Sequence, residues 1–344
     1  MTYRAAIIGL GFIGGADQVS GDALGQLVAD LDGTHLTALQ QHPDVELVAG
    51  SSRDEGRRER FAKRTNARTY DNWQTMLATE DLDIVSIATY APQHAEMTLS
   101  CFEQGVRAVY CEKPIATCLA DAEQMVARAD QSGSLLVLNH NRRFNPAFRQ
   151  LRDVIASGQL GDLTSANVAW GSGRLGNVGT HIFNAVQMLC SRRVVSVSAT
   201  LDLAGRADCR GPAFQDPGGW GLLRLEEGLI VTFDAADFAT LPATITINGT
   251  LGQATARNAT IVVQRQGQPA ESWPEQLDSS SSMDTAVAEI VEWLAEEASF
   301  PDPAEESLHT LEAILACHAS HYANGAWKDL PLTGEDRERV VASG

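Results

Sequence analysis

Paired cysteines and long apolar runs are missing from this sequence of 344 residues. Its six cysteines are scattered without a C-x-x-C pair, which argues against a disulfide framework and favours reduced thiols. No apolar run approaches the ~20 residues that a transmembrane helix needs, and the first residues lack the basic and apolar regions of a signal peptide. We therefore expect a cytoplasmic protein that has no membrane partner.

Positive charge is scarce as well. The sequence has 26 Lys and Arg residues against 44 Asp and Glu residues, which gives a formal net charge of -18. Such a charge repels polyanions, so we expect no nucleic-acid partner. The hydrophobic content of 44% and the charged content of 20% are typical of a globular protein. The length allows two packed domains, each with a core of its own.

Short apolar strands alternate with helices in residues 1–140. The pattern predicts strands at residues 3–9, 45–50, 83–88, 108–111 and 135–139. It predicts helices at residues 55–65, 71–78 with Asp71 as the cap, 93–104, and around Leu119, Ala122, Val126 and Ala129. This alternation indicates an α/β domain with a doubly wound parallel sheet, the Rossmann arrangement that binds dinucleotides.

The pattern changes in residues 141–344, where longer alternating strands follow a helix at 146–156. We predict strands at residues 163–172, 194–203, 221–225, 229–234, 243–248 and 260–264, interrupted by a helix at 181–190. Residues 268–282 are predicted to form a polar loop, and two helices that pack back follow it. These elements indicate a second α/β domain with an open, mainly antiparallel sheet.

A glycine motif follows the first predicted strand directly. It reads Gly9-Leu10-Gly11-Phe12-Ile13-Gly14 and matches the G-x-G-x-x-G turn that brings a pyrophosphate close to the backbone. The motif alone is as often a simple turn. The strand before it and the repeated strand and helix pairs after it favour a dinucleotide site.

The second strand runs into Ser51-Ser52-Arg53 and lacks the acidic residue that usually binds the ribose of NAD. Two hydroxyls and a guanidinium suit a 2′-phosphate, so we predict NADP as the preferred cofactor over NAD. The alternative is a solvated loop in which Asp54 or Glu55 binds the ribose.

Residues 15–33 are unusual, because the helix after a glycine motif would ordinarily continue there. Helical spacing of apolar residues predicts an extra amphipathic helix, capped by Ser20 and ended by Gly33, with Leu24, Leu27, Val28 and Leu31 on one face. One interpretation is a packing element or a subunit contact. The other is a lid that carries Asp17, Gln18, Ser20 and Asp22.

Several short motifs carry a family resemblance together, although each is weak alone. They are the glycine turn, Ile87-Ala88-Thr89 followed by His94, Glu112-Lys113-Pro114, Asn141-Arg142-Arg143-Phe144-Asn145-Pro146 and Gly179-Thr180-His181. In this order and spacing they resemble the Gfo/Idh/MocA oxidoreductase family over nearly the whole chain. The resemblance implies an NAD(P)-dependent dehydrogenase or reductase that acts on a sugar, a sugar acid or a cyclitol.

The resemblance also implies roles for individual residues. Lys113 matches the catalytic lysine, and His181 matches the histidine that acts as general acid or base. Cofactor contacts are implied for Thr89, Tyr90, His94, Glu112 and Arg143. In the family the Lys-Pro bond after that glutamate is often cis, and the open sheet often forms a homodimer or homotetramer.

Three positions depart from the family pattern. Asn177 stands where relatives carry an aspartate, Asn184 stands where an acid is frequent, and Tyr90 replaces a proline. Asparagine forms hydrogen bonds but supplies no negative charge, so we expect Asn177 to orient the substrate.

Substrate recognition is expected to use residues of the second domain. The candidates are Trp170, Arg174, Thr180, Arg210, Asp216 and Trp220. His309, His318 and His321 lack a convincing ligand spacing, so we expect no metal site. Two other functions stay open at this point: a non-catalytic sensor of NAD(P), and a glycosidase of the same family that uses NAD.

Overall fold

The computed structural model describes residues 2–20, 27, 31–203, 211, 214–236, 242–257, 259–276 and 280–343. The chain divides into two compact units. The first consists of Met1–Ala116, Ala120–Asn141 and Ser280–Glu305, and the second of Thr117–Leu119, Arg142–Ser279 and Glu306–Gly344. Within the part that the structure describes, every helix is too short or too polar to cross a bilayer.

The strands are β1 (Tyr3–Ile8), β2 (Val45–Ser51), β3 (Arg68–Tyr70), β4 (Ile84–Ile87), β5 (Ala108–Cys111), β6 (Leu135–Leu138), β7 (Leu163–Ala169), β8 (Val194–Leu201), β9 (Gly219–Leu225), β10 (Ile230–Ala235), β11 (Thr244–Gly249), β12 (Gly252–Arg257), β13 (Thr260–Arg265), β14 (Glu271–Pro274) and β15 (Lys328–Asp329). The helices are α1 (His35–Gln41), α2 (Glu55–Thr65), α3 (Trp73–Thr79), α4 (His94–Glu103), α5 (Leu119–Ser132), α6 (Pro146–Ala156), α7 (Thr180–Cys190), α8 (Ser282–Leu294) and α9 (Glu305–Tyr322).

The sheet of the first unit has six parallel strands in the order β3-β2-β1-β4-β5-β6. This is the doubly wound order of dinucleotide-binding folds, which confirms the predicted Rossmann sheet. The central strands are buried along their length, as expected for a sheet covered by helices on both faces. The sequence pattern missed β3, because this strand is only three residues long and has no buried side chain.

Helix caps explain where the helices of this unit begin. Asp54 precedes α2 and accepts a hydrogen bond from the backbone N–H of Arg57, while Asn72 caps α3 in the same way. The prediction of Asp71 as the cap of this helix was therefore wrong by one residue. Ser281 and Asp284 form a capping box at the start of α8.

The sheet of the second unit has nine strands in the order β14-β13-β12-β11-β7-β10-β9-β8-β15. All neighbours are antiparallel except β7 and β10, which confirms a mainly antiparallel sheet. Residues alternate along the strands, so that Val231 and Phe233 are buried and Thr232 and Asp234 are exposed. On the exposed face, Thr232 donates a hydrogen bond to the side-chain oxygen of Asn167 at 2.6 Å.

The sequence pattern did not predict three strands of this sheet: β12, β14 and the two-residue strand β15. The pattern missed β12, because its inward residues are the small Ala254 and Ala256 and leave a weak apolar signal. Strand β14 lies inside the segment predicted as a polar loop, so that prediction was wrong for Glu271–Pro274. Trp273 is the residue that anchors β14, since its ring is buried and its indole N–H donates to the carbonyl of Ala147 at 3.3 Å.

An excursion, residues 16–34, interrupts the helix that follows the glycine turn. The backbone N–H of His35, the first residue of α1, donates to the carbonyl of Ile13 at 3.1 Å. The start of α1 is therefore hydrogen-bonded directly to the glycine turn, across the excursion. The structure describes residues 16–20, 27 and 31–34 of this segment. Val19 and Leu27 form an antiparallel bridge, so Leu27 is not helical as predicted. Leu24, Val28 and Asp22 lie outside the described residues.

Candidate active site

The three glycines of the motif meet different surroundings. Gly9 has a φ of +97°, and a Cβ added to it would lie 2.6 Å from the carbonyl oxygen of Ala88. A Cβ on Gly14 would lie 2.0 Å from the carbonyl oxygen of Gly9, whereas a Cβ on Gly11 would meet, among the residues that the structure describes, only Arg57 at 3.8 Å. The first and third glycines therefore close a tight turn, and the second presents an open backbone. This arrangement fits the approach of a dinucleotide pyrophosphate.

The end of β2 is fixed by its neighbours. The carbonyl of Ser51 accepts a hydrogen bond from the N–H of Gly9 at 2.9 Å, which places this residue beside the glycine turn. One amino group of Arg58 donates to the carbonyls of Ser52 and Arg53 at 2.7 and 3.0 Å. Asp54 accepts from the backbone N–H of Arg57, and this bond holds the pKa of Asp54 below its usual value. One oxygen of its carboxylate is thereby used in capping α2.

His94 joins two of the predicted cofactor segments. It is buried, with Nδ1 at 2.9 Å from the carbonyl oxygen of Pro114 and Nε2 at 3.1 Å from that of Thr89. Burial lowers the pKa of His94, and the two carbonyl contacts oppose that shift. The Lys113–Pro114 peptide is cis. Since His94 has no exposed surface, we assign it the role of holding the lysine turn against the end of β4.

Glu112 is the centre of a buried hydrogen-bond network. Its Oε1 atom lies 3.1 Å from Nε2 of His35 and accepts a hydrogen bond from Asn139 at 2.7 Å. Tyr110 donates to the other end of the Asn139 amide at 2.8 Å. Desolvation alone would raise the pKa of Glu112, but the hydrogen bond from His35 and the nearby charges of His35 and Lys113 lower it to about 2. Glu112 is therefore an ionised carboxylate directly beside Lys113.

His35 is a residue of this network that the sequence motifs do not identify. The excursion separates this residue from the glycine motif, and only the burial of the imidazole and its distance to Glu112 identify it. The one signal in the sequence is a histidine at the start of the helix that resumes after the insert. Tyr90, by contrast, is 55% exposed next to Thr89, where the resemblance places a cofactor contact.

In the second unit, a π-helical turn (Leu175–Gly179) leads directly into α7 and carries Asn177 just before His181. Such turns are frequent at functional sites. The carboxylate of Asp216 accepts hydrogen bonds from the backbone N–H groups of Gly176 and Asn177 at 2.6 and 2.8 Å. Asp216 is buried, and its carboxylate fixes this turn; the substrate contact expected for Asp216 stays a prediction.

Trp170 and Thr180 are buried as well, at 2% and 1% exposure. The indole N–H of Trp170 donates to the carbonyl of Gly173 at 2.6 Å, and its ring packs edge-on against Phe183 at 6.1 Å. Of these two predicted substrate residues, Trp170 packs against Gly179 of the turn, and Thr180 begins α7 directly after it. Arg174 begins the turn in the left-handed conformation, with a φ of 54°.

The remaining substrate candidates fall elsewhere. Trp220 is 43% exposed on β9, on the open face of the nine-stranded sheet. Arg210 lies outside the described residues.

Arg143 is oriented by an asparagine. Its Nε donates to the side-chain oxygen of Asn184 at 2.5 Å, and the Asn184 amide donates to the hydroxyl of Thr310 at 3.0 Å. Glu306 lies 3.5 Å from the Arg143 guanidinium. The amide oxygen of Asn184 therefore serves as the acceptor for Arg143 at a position where the family often has an acid.

Two family models match the chain in the order of the two units. Residues 3–140 match the oxidoreductase family with an NAD-binding Rossmann fold, GFO_IDH_MocA, and residues 165–255 match the GFO/IDH/MocA C-terminal domain. The chain belongs to the GFO/IDH/MocA family. The resemblance inferred from the sequence motifs is confirmed.

Curated members of the GFO/IDH/MocA family match the first part of the chain. Trans-1,2-dihydrobenzene-1,2-diol dehydrogenase from Mus musculus is 36% identical over 138 residues, which is 39% of this chain and 41% of the mouse protein. Inositol 2-dehydrogenase 3 from Saccharopolyspora erythraea is 30% identical over 162 residues, 47% of this chain and 43% of that protein. The chain thus aligns with less than half of the length of these relatives.

Solved structures resemble the whole fold. Levoglucosan dehydrogenase, in complex with NADH and levoglucosan, superimposes with a TM-score of 0.81 at 18% identity, covering 96% of this chain and 100% of that one. An oxidoreductase domain protein from Kribbella flavida gives a TM-score of 0.80 at 22% identity with the same coverage. At these identities the match shows the fold alone.

Proposed function

We propose that this protein is an NADP-dependent oxidoreductase that transfers a hydride between the cofactor and a CH–OH carbon of a sugar, a sugar acid or a cyclitol. The observation that carries the proposal is the open backbone of Gly11 between two sterically closed glycines. The end of β4, which adjoins Gly9 in that turn, is tied through His94 to the turn that bears Lys113. A dinucleotide bound at the glycine turn would therefore extend along the edge of the sheet where Lys113 lies.

A bound nicotinamide dinucleotide supplies the hydride acceptor or donor. The residues of the chain must then move one proton and stabilise the oxygen on the reacting carbon. We assign His181 as the proton acceptor in the oxidative direction, and the ammonium of Lys113 as the group that favours the developing alkoxide. The carboxylate of Glu112 interacts electrostatically with the ammonium of Lys113.

The cofactor preference is proposed from the end of β2. Arg58 holds the backbone carbonyls of Ser52 and Arg53. Because Asp54 caps α2, we expect the serine hydroxyls and the guanidinium of Arg53 to bind the ribose in its place. These groups bind a 2′-phosphate through charge-assisted hydrogen bonds. We expect kcat/KM to be higher with NADPH than with NADH. A marked preference for NADH would contradict this part of the proposal.

The substrate class is proposed from the relatives. The names of the matching proteins indicate a dihydrodiol, an inositol and levoglucosan as substrates of those proteins. All three are small rings with hydroxyl groups. The test is the formation of NADPH from NADP⁺ with a panel of sugars, sugar acids, inositols and cyclic diols. Failure to reduce the cofactor with every member of the panel would contradict the proposal.

Self-association is proposed through the open face of the nine-stranded sheet. This face carries threonine and asparagine side chains, together with the exposed ring of Trp220. A half-polar sheet face of this kind suits a homodimer or homotetramer with two-fold symmetry. Light scattering after size-exclusion chromatography measures the mass. A monomer at micromolar concentration would contradict the proposal.

A further inference from the structure

Residues 341–343, which we call the strap, pack against the π-helical turn that carries Asn177. A Cβ added to Gly176 of this turn would lie 2.5 Å from Cβ and 2.7 Å from Oγ of Ser343. It would also lie 3.1 Å from the carboxylate of Asp216, which binds the backbone of the turn. Contacts of 2.5 and 2.7 Å are too short for a real Cβ, so any larger residue at position 176 would displace the turn or the strap.

Backbone hydrogen bonds fix the path of the strap. The N–H of Val341 donates to the carbonyl of Thr117 at 2.9 Å, and the carbonyl of Ala342 accepts from the N–H of Gln215 at 3.0 Å. The N–H of Ser343 donates to the carbonyl of Val341 at 2.7 Å, which closes a tight turn. Val341 and Ser343 are buried, at 2% and 1% exposure. The strap is therefore held by backbone pairing as well as by side-chain packing.

The turn carries two residues to which the proposed function gives roles. Asn177 directly follows Gly176, and His181 lies four residues after Asn177 as the second residue of α7. Both side chains are partly exposed, whereas Gly176 and Ser343 are buried. A shift of the turn would move the partly exposed groups, and a displacement of ~1 Å can lower a rate about a hundredfold.

We propose that Ser343 is a positioning residue for the reaction and acts through its contact with Gly176, an assignment that rests on the proposed function. Its hydroxymethyl group sets how closely the turn approaches the strap, and with it the placement of Asn177. The competing explanation is that the strap only stabilises the fold. In that case, substitutions at the contact would change stability and leave the turnover of the folded protein unaffected.

A pair of complementary substitutions separates these explanations. Gly176→Ala should push the turn away from Ser343 and lower kcat about tenfold or more, with the Kd for NADPH within about twofold of wild type. Ser343→Gly removes both atoms that crowd the new methyl group, so the double variant should recover kcat to within about threefold of wild type. Ser343→Val adds bulk from the strap and should lower kcat in the same way as Gly176→Ala.

Gly179→Ala is the matched control for the rescue. A Cβ on Gly179 would lie 3.0 Å from the ring of Trp170, in the same turn but against a different neighbour. Ser343→Gly should therefore not restore the kcat of Gly179→Ala. Rescue of both glycine variants would overturn the assignment, because it would show a general loosening of the turn and not a specific contact.

Hydrogen exchange of the turn gives a measurement that needs no substrate. The N–H groups of Gly176 and Asn177 are bonded to Asp216, so the peptide that contains them should be protected in the wild-type protein. Exchange should be about tenfold faster in Gly176→Ala, and the double variant should return to near the wild-type rate. Mass spectrometry after pepsin digestion measures these rates, and thermal melting checks that each variant is folded.

Recovery of both kcat and protection in the double variant supports the role of Ser343. A double variant as slow in turnover and as fast in exchange as Gly176→Ala would overturn it, as would a loss of NADPH affinity equal to the loss in kcat. A wild-type chain that reduces NADP⁺ with no member of the substrate panel contradicts the proposed function instead. The exchange rates then decide alone whether Ser343 positions the turn.

Discussion

Glu112 and His35 form a buried pair, with Oε1 and Nε2 3.1 Å apart. Glu112 directly precedes Lys113, and His35 begins the helix that resumes after the excursion. Because the carboxylate is ionised, Nε2 of His35 carries the hydrogen and donates it. The position of the lysine turn therefore depends on a residue that the excursion separates from the glycine motif.

Removing the imidazole should leave the buried charge of Glu112 with Asn139 as the remaining donor of the network described above. We expect His35→Leu to lower the free energy of unfolding by about 3 kcal/mol, the cost of breaking a buried pair from one side. His35→Gln retains an N–H donor of similar reach and should lose less than half of that amount. Urea unfolding measures both variants. Equal stability of His35→Leu and wild type would show that the pair is not stabilising.

The lowered pKa of Glu112 predicts a pH dependence. In the folded state the pKa of Glu112 is lowered to about 2, from an ordinary value of 4.5. The charged carboxylate therefore contributes its full stabilisation at pH values above the ordinary pKa. This stabilisation, ~3 kcal/mol of the free energy of unfolding, is lost as the pH falls toward the pKa of the folded state. Because Glu112→Gln has no group that titrates at this position, its free energy of unfolding should fall less steeply as the pH is lowered between these two pKa values. Parallel curves of urea midpoint against pH for the two proteins would contradict the assignment.

The glycine turn allows a matched pair of substitutions. A Cβ at Gly14 would lie 2.0 Å from the carbonyl of Gly9, so Gly14→Ala should lower the free energy of unfolding by about 2 kcal/mol or more. A Cβ at Gly11 would make an ordinary contact with Arg57 at 3.8 Å, so Gly11→Ala should change stability by less than about 0.5 kcal/mol. Its methyl group would nevertheless obstruct the pyrophosphate, and NADPH binding should weaken about tenfold. Unchanged NADPH affinity in Gly11→Ala would place the cofactor elsewhere.

Asp216 should act through the π-helical turn that it caps. Asp216→Ala removes the acceptor of two backbone N–H groups next to Asn177, and we expect kcat to fall about tenfold or more while the Kd for NADPH is unchanged. Asp216→Asn keeps one oxygen acceptor and should retain an intermediate kcat. A loss of NADPH affinity equal to the loss in kcat would indicate a general folding defect instead.

Periodicity in the sequence was sufficient for the large elements. Short apolar runs that alternate with helical stretches predicted β1 and β4, and α2 was predicted with its observed bounds. Elements without an apolar signal were missed, such as β3 and the alanine-rich β12. These two strands are defined by pairing with neighbours, which a local pattern does not record.

The site was harder to predict than the fold. Motifs identified Lys113 and the glycine turn because the relevant residues are adjacent in sequence. The links between distant segments were not visible, since His35 and Asp216 are remote in sequence from Glu112 and Asn177. Asp216 was expected to bind substrate because it is charged and lies in a long loop. Its burial and its two hydrogen bonds to the turn depend on tertiary packing, which a local pattern does not record.

The most direct test of the proposed chemistry combines turnover and binding in Lys113→Met. We predict that the wild-type protein reduces NADP⁺ with at least one sugar or cyclitol of the panel. The variant should lose about a thousandfold in kcat while its Kd for NADPH, measured by fluorescence, stays within about threefold of wild type. Turnover of Lys113→Met near the wild-type rate, with the cofactor still bound, would contradict the role of this lysine and the mechanism built on it.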